Sequence, residues 1–219
     1  DSFSLNALVY DHVVAEPHIH SPAEDERRAL RAAGLTVPVP YPVLTVPTEQ
    51  GALKKFGVTA GQYVAVHFFS GSVKRALHPD RRRALVLALR AALPADVQIL
   101  LTGARGDRQE AETAAGTEAR VIAGEASLGE MADLITHARA TVSVDTGVAH
   151  IAAQLHKRVL VITTCMGLWW WNEEQYGPNA SYKAFTAPLH PIPEHPMDDY
   201  PACLNTFDIN AMTSLVAKL

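Results

Sequence analysis

The sequence predicts an α/β fold, a parallel sheet with helices on both faces, and three observations carry that reading. Short β-rich apolar runs alternate with amphipathic helical stretches between residues 63 and 163. The runs are short and buried in character, as strands covered on both faces must be. No proline falls between Ala95 and Gly177, whereas the flanking stretches are dense in it, so regular structure is expected inside that span and extended connectors outside it.

The elements follow in order. Ser21-Pro22-Ala23-Glu24 reads as a helix start, with Ser21 as cap, Pro22 in the first turn and Glu24 reaching back, and Gly34 supplies the stop. Residues 35–47 (LTVPVPYPVLTVP) form a stiff proline-rich linker. Tyr63–Phe69 is the first strand, and a helix spans Pro79–Leu93 with Leu85, Leu89 and Leu93 on one stripe. Val97–Leu101, Arg120–Ala123, Thr141–Val144 and Val159–Thr163 are further strands, and a helix over 107–115 separates the first two. Ser127 and Glu130 make a capping box ahead of Leu128, Met131, Ala132, Ile135 and Ala138 at helical spacing. Gly147–Leu155 is a short helix burying Val148, Ile151, Ala152 and Leu155. Asp208 caps a last helix, with Phe207 and Met212 as its hydrophobic staple.

Composition excludes several classes. Nineteen basic against 23 acidic residues leave a net charge of −4 over 219 residues, which argues against a nucleic-acid binder. With 48% hydrophobic and 19% charged residues the chain is globular. Two cysteines, Cys165 and Cys203, are too few for a disulfide framework and favour a reducing compartment. No apolar run approaches membrane-spanning length and no signal-peptide pattern opens the sequence. It begins at Asp1 and is read as a piece of something longer.

Ligands of an open parallel sheet sit beyond the carboxyl ends of its strands, so the polar residues at those turns matter most. Ser143-Val144-Asp145-Thr146-Gly147-Val148-Ala149-His150 runs from a buried strand straight into a helix. The unpaired first amides and the positive end of the helix dipole favour an anion there. Gly147 admits a phosphate to the backbone, Thr146 adds a hydroxyl, and His150 lies one turn further on the same side. Asp145 suits sugar hydroxyls better than phosphate. The plainer alternative is that Asp145 or Thr146 caps the helix and His150 packs. In Ser70-Gly71-Ser72-Val73-Lys74-Arg75 the small residues, Ser72 among them, permit close backbone approach, and Lys74 or Arg75 could clamp a diphosphate; a solvated basic loop continuing into Arg81-Arg82-Arg83 is the alternative. Thr102-Gly103-Ala104-Arg105-Gly106-Asp107 departs from GxGxxG, which disfavours a dinucleotide site; an acid here, Asp107 or Glu110, could hold ribose hydroxyls, an exposed helix-start acid being the commoner alternative.

These stretches together resemble the carboxyl-terminal half of glycosyltransferase family 9, which contains the ADP-heptose:lipopolysaccharide heptosyltransferases. The carriers are VAVHFFSGSVKRALHP, ILLTGARGD, AGEASLGEMADLITHARATVSVDTGVAHIAA and PACLNTFDINAM. The match is close over 60–165, looser over 166–219, and 20–60 fits the family's interdomain connector. The resemblance implies a GT-B architecture, with residues 1–47 as linker and remnant of an amino-terminal domain and 48–219 as a Rossmann-like nucleotide-sugar-binding domain. It implies that Lys74 contacts the donor diphosphate, Thr146 and Gly147 bind phosphate, Asp145 meets the transferred sugar and His150 borders the phosphate. Ser72, Gly103 and Asp107 complete the donor set.

The implied reaction is metal-independent inverting transfer from a nucleotide-diphospho-sugar, an ADP-linked one by resemblance, to a glycolipid or glycan acceptor. No further cofactor is expected. The general base is expected in the missing domain, so this chain alone should bind donor and transfer little. A bacterial cytoplasmic protein, peripheral on the inner face of the inner membrane, is implied. A non-catalytic nucleotide-sugar module and a GT-B-like epimerase are the competing readings.

Trp169, Trp170 and Trp171 cannot all point inward: one or two are expected to pack against the carboxyl-terminal segment and another to stack on sugar or face the absent domain, with core packing expected for most of their surface. No metal is expected: His18 and His20 point to opposite sides of an extended chain, and His190, His195 and Cys203 lack ligand spacing. The Gly-x-Ser-x-Gly signature of a serine nucleophile is absent.

Overall fold

The computed structural model describes residues 22–36, 44–45, 51–72, 75–164, 171–186 and 204–218. Helix α1 spans Pro22–Ala32 and α2 Gly51–Phe56. Then come β1 (Tyr63–His67), α3 (Pro79–Ala92), β2 (Gln98–Thr102), α4 (Arg108–Ala115) and β3 (Arg120–Val121). Helix α5 (Leu128–His137), β4 (Ala140–Val144), α6 (Gly147–Gln154) and β5 (Val159–Ile162) follow. The described chain closes with α7 (Glu173–Tyr176), β6 (Tyr182–Phe185) and α8 (Ile209–Ala217).

The strands form one sheet ordered β3-β2-β1-β4-β5-β6, every pair parallel. Chain order reverses between β1 and β4, which opens a crevice at the carboxyl ends of those two strands. Register brings the strand ends level: His67 pairs with Thr102 on one side and Ser143 on the other, and Val144 pairs with Ile162. The predicted parallel, Rossmann-like α/β class is what the chain adopts.

Side chains alternate across the pleat, so each strand feeds two cores. Val64, Val66, Ile99, Leu101, Val142, Val144 and Ile162 share a core with Leu85 and Leu89 of α3 and Met212 and Val216 of α8. On the opposite face Tyr63 and Leu100 meet Phe56 and Leu134, while Val159 and Val161 meet Ala149, Ala152 and Trp171. Leu85 and Leu89 are fully buried, and truncating either to Ala should cost about 2–5 kcal/mol.

Local capping follows the sequence. Ser127 Oγ accepts from the Glu130 amide at 3.2 Å, and Glu130 Oε2 accepts from the Ser127 amide at 2.8 Å. Asp208 Oδ1 accepts from the Ala211 amide at 3.0 Å, with Phe207 and Met212 both buried. Gly34 stops α1 in the left-handed region at φ 78°. The Ser21 cap and most of the 35–47 linker lie outside the described residues, although the Leu44 amide donates to Gln154 O at 3.0 Å.

Some details differ from the sequence reading. Leu128, the first residue of α5, is 72% exposed, whereas Leu134 further along the helix is fully buried. In α6 the buried residues are Ala149, Ala152 and Ala153, with Val148 and Ile151 only half-buried, since small side chains let this helix sit close on the sheet. Helices α2 and α7 and strand β6 were not anticipated. Arg81-Arg82-Arg83 is no solvated run. Arg81 donates to Phe207 O, Arg83 donates to Ala114 O and Ala115 O, and Arg82 is buried with its guanidinium 4.8 Å from the Phe69 ring. Among the described residues no helix is long and apolar enough to cross a membrane.

Candidate functional site

The β4–α6 turn is built from a buried strand end and an open helix start. Ser143 and Val144 are fully buried, and Thr146 takes the N-cap position in extended conformation at φ −145°, ψ 176°. Its side chain makes no capping hydrogen bond; Thr146 Oγ1 instead donates back to Val144 O at 3.3 Å. Asp145 does not cap either. Its Oδ2 accepts from Thr163 Oγ1 at 2.8 Å, and its Oδ1 lies 3.3 Å from His150 Nε2. A Cβ added to Gly147 would meet nothing within 4 Å. The first turn of α6 therefore has no side-chain cap from Thr146 or Asp145, and the space beside Gly147 is open, an arrangement suited to an anion.

His150 sits between this turn and α7. Its Nδ1 is hydrogen-bonded with the Tyr176 hydroxyl, and its ring lies parallel to Trp171 at 9° with centroids 5.0 Å apart. Trp171 in turn stacks on Tyr176 at 5.1 Å and touches Tyr182 at 5.6 Å. Burial pushes the Tyr176 hydroxyl well above the ordinary tyrosine range, and the nearby Asp145 carboxylate adds to that, so the hydroxyl keeps its proton at neutral pH. Trp171, 6% exposed, thus packs beside the site and not against the carboxyl-terminal helix, which covers the other face of the sheet. Trp169 and Trp170 lie outside the described residues.

The other two turns flank the crevice. After β1 the chain closes a turn in which the Ser72 amide donates to Ser70 Oγ at 3.2 Å and Ser72 O accepts from the Arg75 amide at 2.9 Å. Lys74 lies outside the described residues, so its distance from Thr146 is not part of this geometry. After β2, Asp107 Oδ2 accepts from the Ala104 amide at 2.7 Å and so seals its own turn. A Cβ on Gly103 would come within 3.0 Å of the Phe69 ring and 3.1 Å of Asp107, so a side chain there would have to push these neighbours aside. Glu110 pairs with Arg82.

Three residues beside the crevice escaped sequence reasoning. Thr163 stands at the end of β5, and the strand-end rule applied to that turn would have found it. Tyr176 ends α7, whose start is marked by Asn172, a cap accepting from the Gln175 amide at 2.9 Å, and whose end is marked by Gly177. His67 ends β1, with Nδ1 3.0 Å from Thr102 Oγ1, and burial lowers its pKa to about 4. No cluster of metal-ligating side chains occurs among the described residues.

With this geometry in place, comparison with known proteins decides the family. The model of glycosyltransferase family 9 (heptosyltransferase) matches residues 2–164, most of the chain. The chain belongs to glycosyltransferase family 9.

Solved structures agree on the fold. E. coli heptosyltransferase WaaC with ADP is 21% identical with a TM-score of 0.58, covering 98% of this chain and 61% of that one. A family 9 glycosyl transferase from Veillonella parvula is 14% identical with a TM-score of 0.59, covering 78% of this chain and 50% of that one. E. coli ADP-heptose lps heptosyltransferase II is 18% identical with a TM-score of 0.56, covering 73% and 49%. This chain thus spans about half to three fifths of the length of these structures. No curated protein matches it.

Proposed function

We propose that this family 9 chain is the donor-binding part of a heptosyltransferase-like enzyme, and that it takes an ADP-linked sugar at the β4–α6 turn. The open first turn of α6, capped by neither Thr146 nor Asp145 and unobstructed over Gly147, is the observation that supports the reading most. The Thr146 hydroxyl and the amides behind it would bind the diphosphate, with Lys74 reaching in from the β1 turn as the cation that offsets charge on the leaving nucleotide. Asp145, held from both sides, would accept hydroxyl groups of the transferred sugar, with His150 beside it. Ser72, Gly103 and Asp107 would frame the nucleoside side. Such a site stabilises the departing diphosphate with fixed dipoles and side-chain charge, and the displacement inverts the sugar without a divalent ion. The acceptor would be a glycolipid or related glycan met at the cytoplasmic face of the bacterial inner membrane, and a general base outside the residues named here would take its proton.

Calorimetric titration with ADP, and with UDP and GDP for comparison, tests this. ADP should bind, and Lys74→Ala and Thr146→Ala should each weaken it about tenfold or more, the scale of a charge-assisted hydrogen bond. Unchanged affinity in both variants, or no ADP binding at all, would refute the site. Robust sugar transfer by the 219-residue chain alone would refute the placement of the base elsewhere.

A further inference from the structure

We infer that Tyr176 is a positioning residue for Asp145: its hydroxyl donates to His150 Nδ1, confines the ring proton to Nε2, and so turns an N–H toward the carboxylate. A neutral imidazole carries one N–H, and the nitrogen that holds it is set by the partner of the other. Here the two partners differ in kind. Nε2 lies 3.3 Å from Asp145 Oδ1, an oxygen that has no proton to give when the carboxylate is ionised. A bare Nε2 would set lone pair against lone pair. Nδ1 meets the Tyr176 hydroxyl, a group able to donate.

The surroundings hold the ring to this choice. Trp171 lies nearly parallel to the imidazole, 9° off with centroids 5.0 Å apart, and Tyr176 stacks on Trp171 at 5.1 Å with a 28° tilt, so the stack restrains the ring plane. Rotation within that plane is opposed by the hydrogen bond to Tyr176. Thr163 Oγ1 donates to the second carboxylate oxygen at 2.8 Å, so Asp145 faces a donor on each side and its orientation is determined by β5 and α7 together. Burial, which keeps the Tyr176 hydroxyl protonated, acts in the same direction.

The functional meaning of this chain of contacts rests on Asp145 belonging to the donor site. The tautomer does not, so the two ideas fail separately: absent ADP binding removes the donor site, and a wrong tautomer removes the role of Tyr176. The test is long-range 1H–15N correlation on the full 219-residue chain labelled at histidine nitrogens, with His150 assigned by the signal lost in His150→Gln. The expected result is an unprotonated Nδ1 and a protonated Nε2 at neutral pH. Tyr176→Phe keeps the aromatic stack and removes only the hydroxyl, and should move both nitrogens to the averaged values of exchanging tautomers. A wild-type His150 protonated at Nδ1, alone or together with Nε2, overturns the inference, and so does a Tyr176→Phe spectrum unchanged at His150. The wild-type measurement stands by itself should the variant fold poorly.

Discussion

Thr163 Oγ1 donates to Asp145 Oδ2 at 2.8 Å and thereby ties the end of β5 to the end of β4. Both residues are buried, Thr163 completely. Thr163→Val preserves the shape but leaves a buried carboxylate oxygen short of a donor, so unfolding free energy should fall by about 1–3 kcal/mol. Thr163→Ser keeps the hydroxyl and loses one methyl, a loss of at most about 1 kcal/mol. Urea melts of the three proteins check this, and a valine variant as stable as the serine variant would mean that the hydrogen bond contributes nothing.

Two glycines at neighbouring strand ends should respond oppositely. An added methyl at Gly103 meets the Phe69 ring at 3.0 Å and Asp107 at 3.1 Å, and Arg82 braces Phe69 from behind, so Gly103→Ala should destabilise by about 1–2 kcal/mol. At Gly147 nothing lies within 4 Å, and Gly147→Ala should stay within about 1 kcal/mol of the parent, since alanine is the better helix residue. Its methyl would nevertheless stand over the open first turn of α6 and weaken ADP binding. Thermal melts paired with ADP titration separate the two effects. A stable Gly147→Ala protein with parental affinity would argue against phosphate at that turn.

The Ser127–Glu130 box is also held from outside, by Lys55 Nζ at 2.8 Å from Glu130 Oε1. The Lys55 hydrogen bond, with the Ser127 amide second, lowers the Glu130 pKa to about 2 from an ordinary 4.5. A depressed carboxylate stabilises the fold above its unfolded value and loses that contribution as pH falls from about 4.5 toward 2. Lys55→Ala should therefore flatten the stability curve in that window, as followed by chemical melts at successive pH values. Ser127→Ala should cost about 1 kcal/mol at neutral pH.

How far the sequence carried the reading depends on range. Signals contained within one turn of helix were legible: the Ser127–Glu130 box, the Asp208 cap and the stop at Gly34 each rest on residues a few positions apart. Alternation of short strands with helices pointed to a parallel sheet covered on both faces, and its strand order is read from the structure. The β4–α6 turn could be located because a buried strand ran directly into a glycine-led helix. Its internal geometry could not, because Asp145 is oriented by Thr163 and His150 by Tyr176, residues 18 and 26 positions away. Local patterns carry no record of such partners. The same holds for Arg82, which looked like part of a basic run and is buried against Phe69 and Glu110. Gly103, placed in the donor set by resemblance, is also closely packed, with the Phe69 ring and Asp107 within about 3 Å of where a Cβ would stand, a tightness that comes from residues 34 positions back and 4 ahead.

His67 gives the sharpest dependence on pH. It ends the central strand, its Nδ1 is hydrogen-bonded with Thr102 Oγ1 at 3.0 Å, and that hydroxyl donates onward to Val66 O at 3.1 Å. Burial lowers the imidazole pKa to about 4, against an opposing pull from Asp107. The ring is therefore neutral at pH 7, and positive charge for an anion at the β1 turn has to come from other residues, as the role proposed for Lys74 requires. Between pH 6.5 and about 4 the unfolded chain binds a proton at His67 that the folded chain refuses. Stability must then rise with pH across that window and be lost on acidification, by up to about 3 kcal/mol from this residue. His67→Asn keeps a polar partner for Thr102 without the titration, so the stability of the parent relative to the variant should fall as pH drops from 7 to 4. Parallel stability curves for the two proteins from pH 7 to pH 4 would show that His67 titrates alike in the folded and unfolded states.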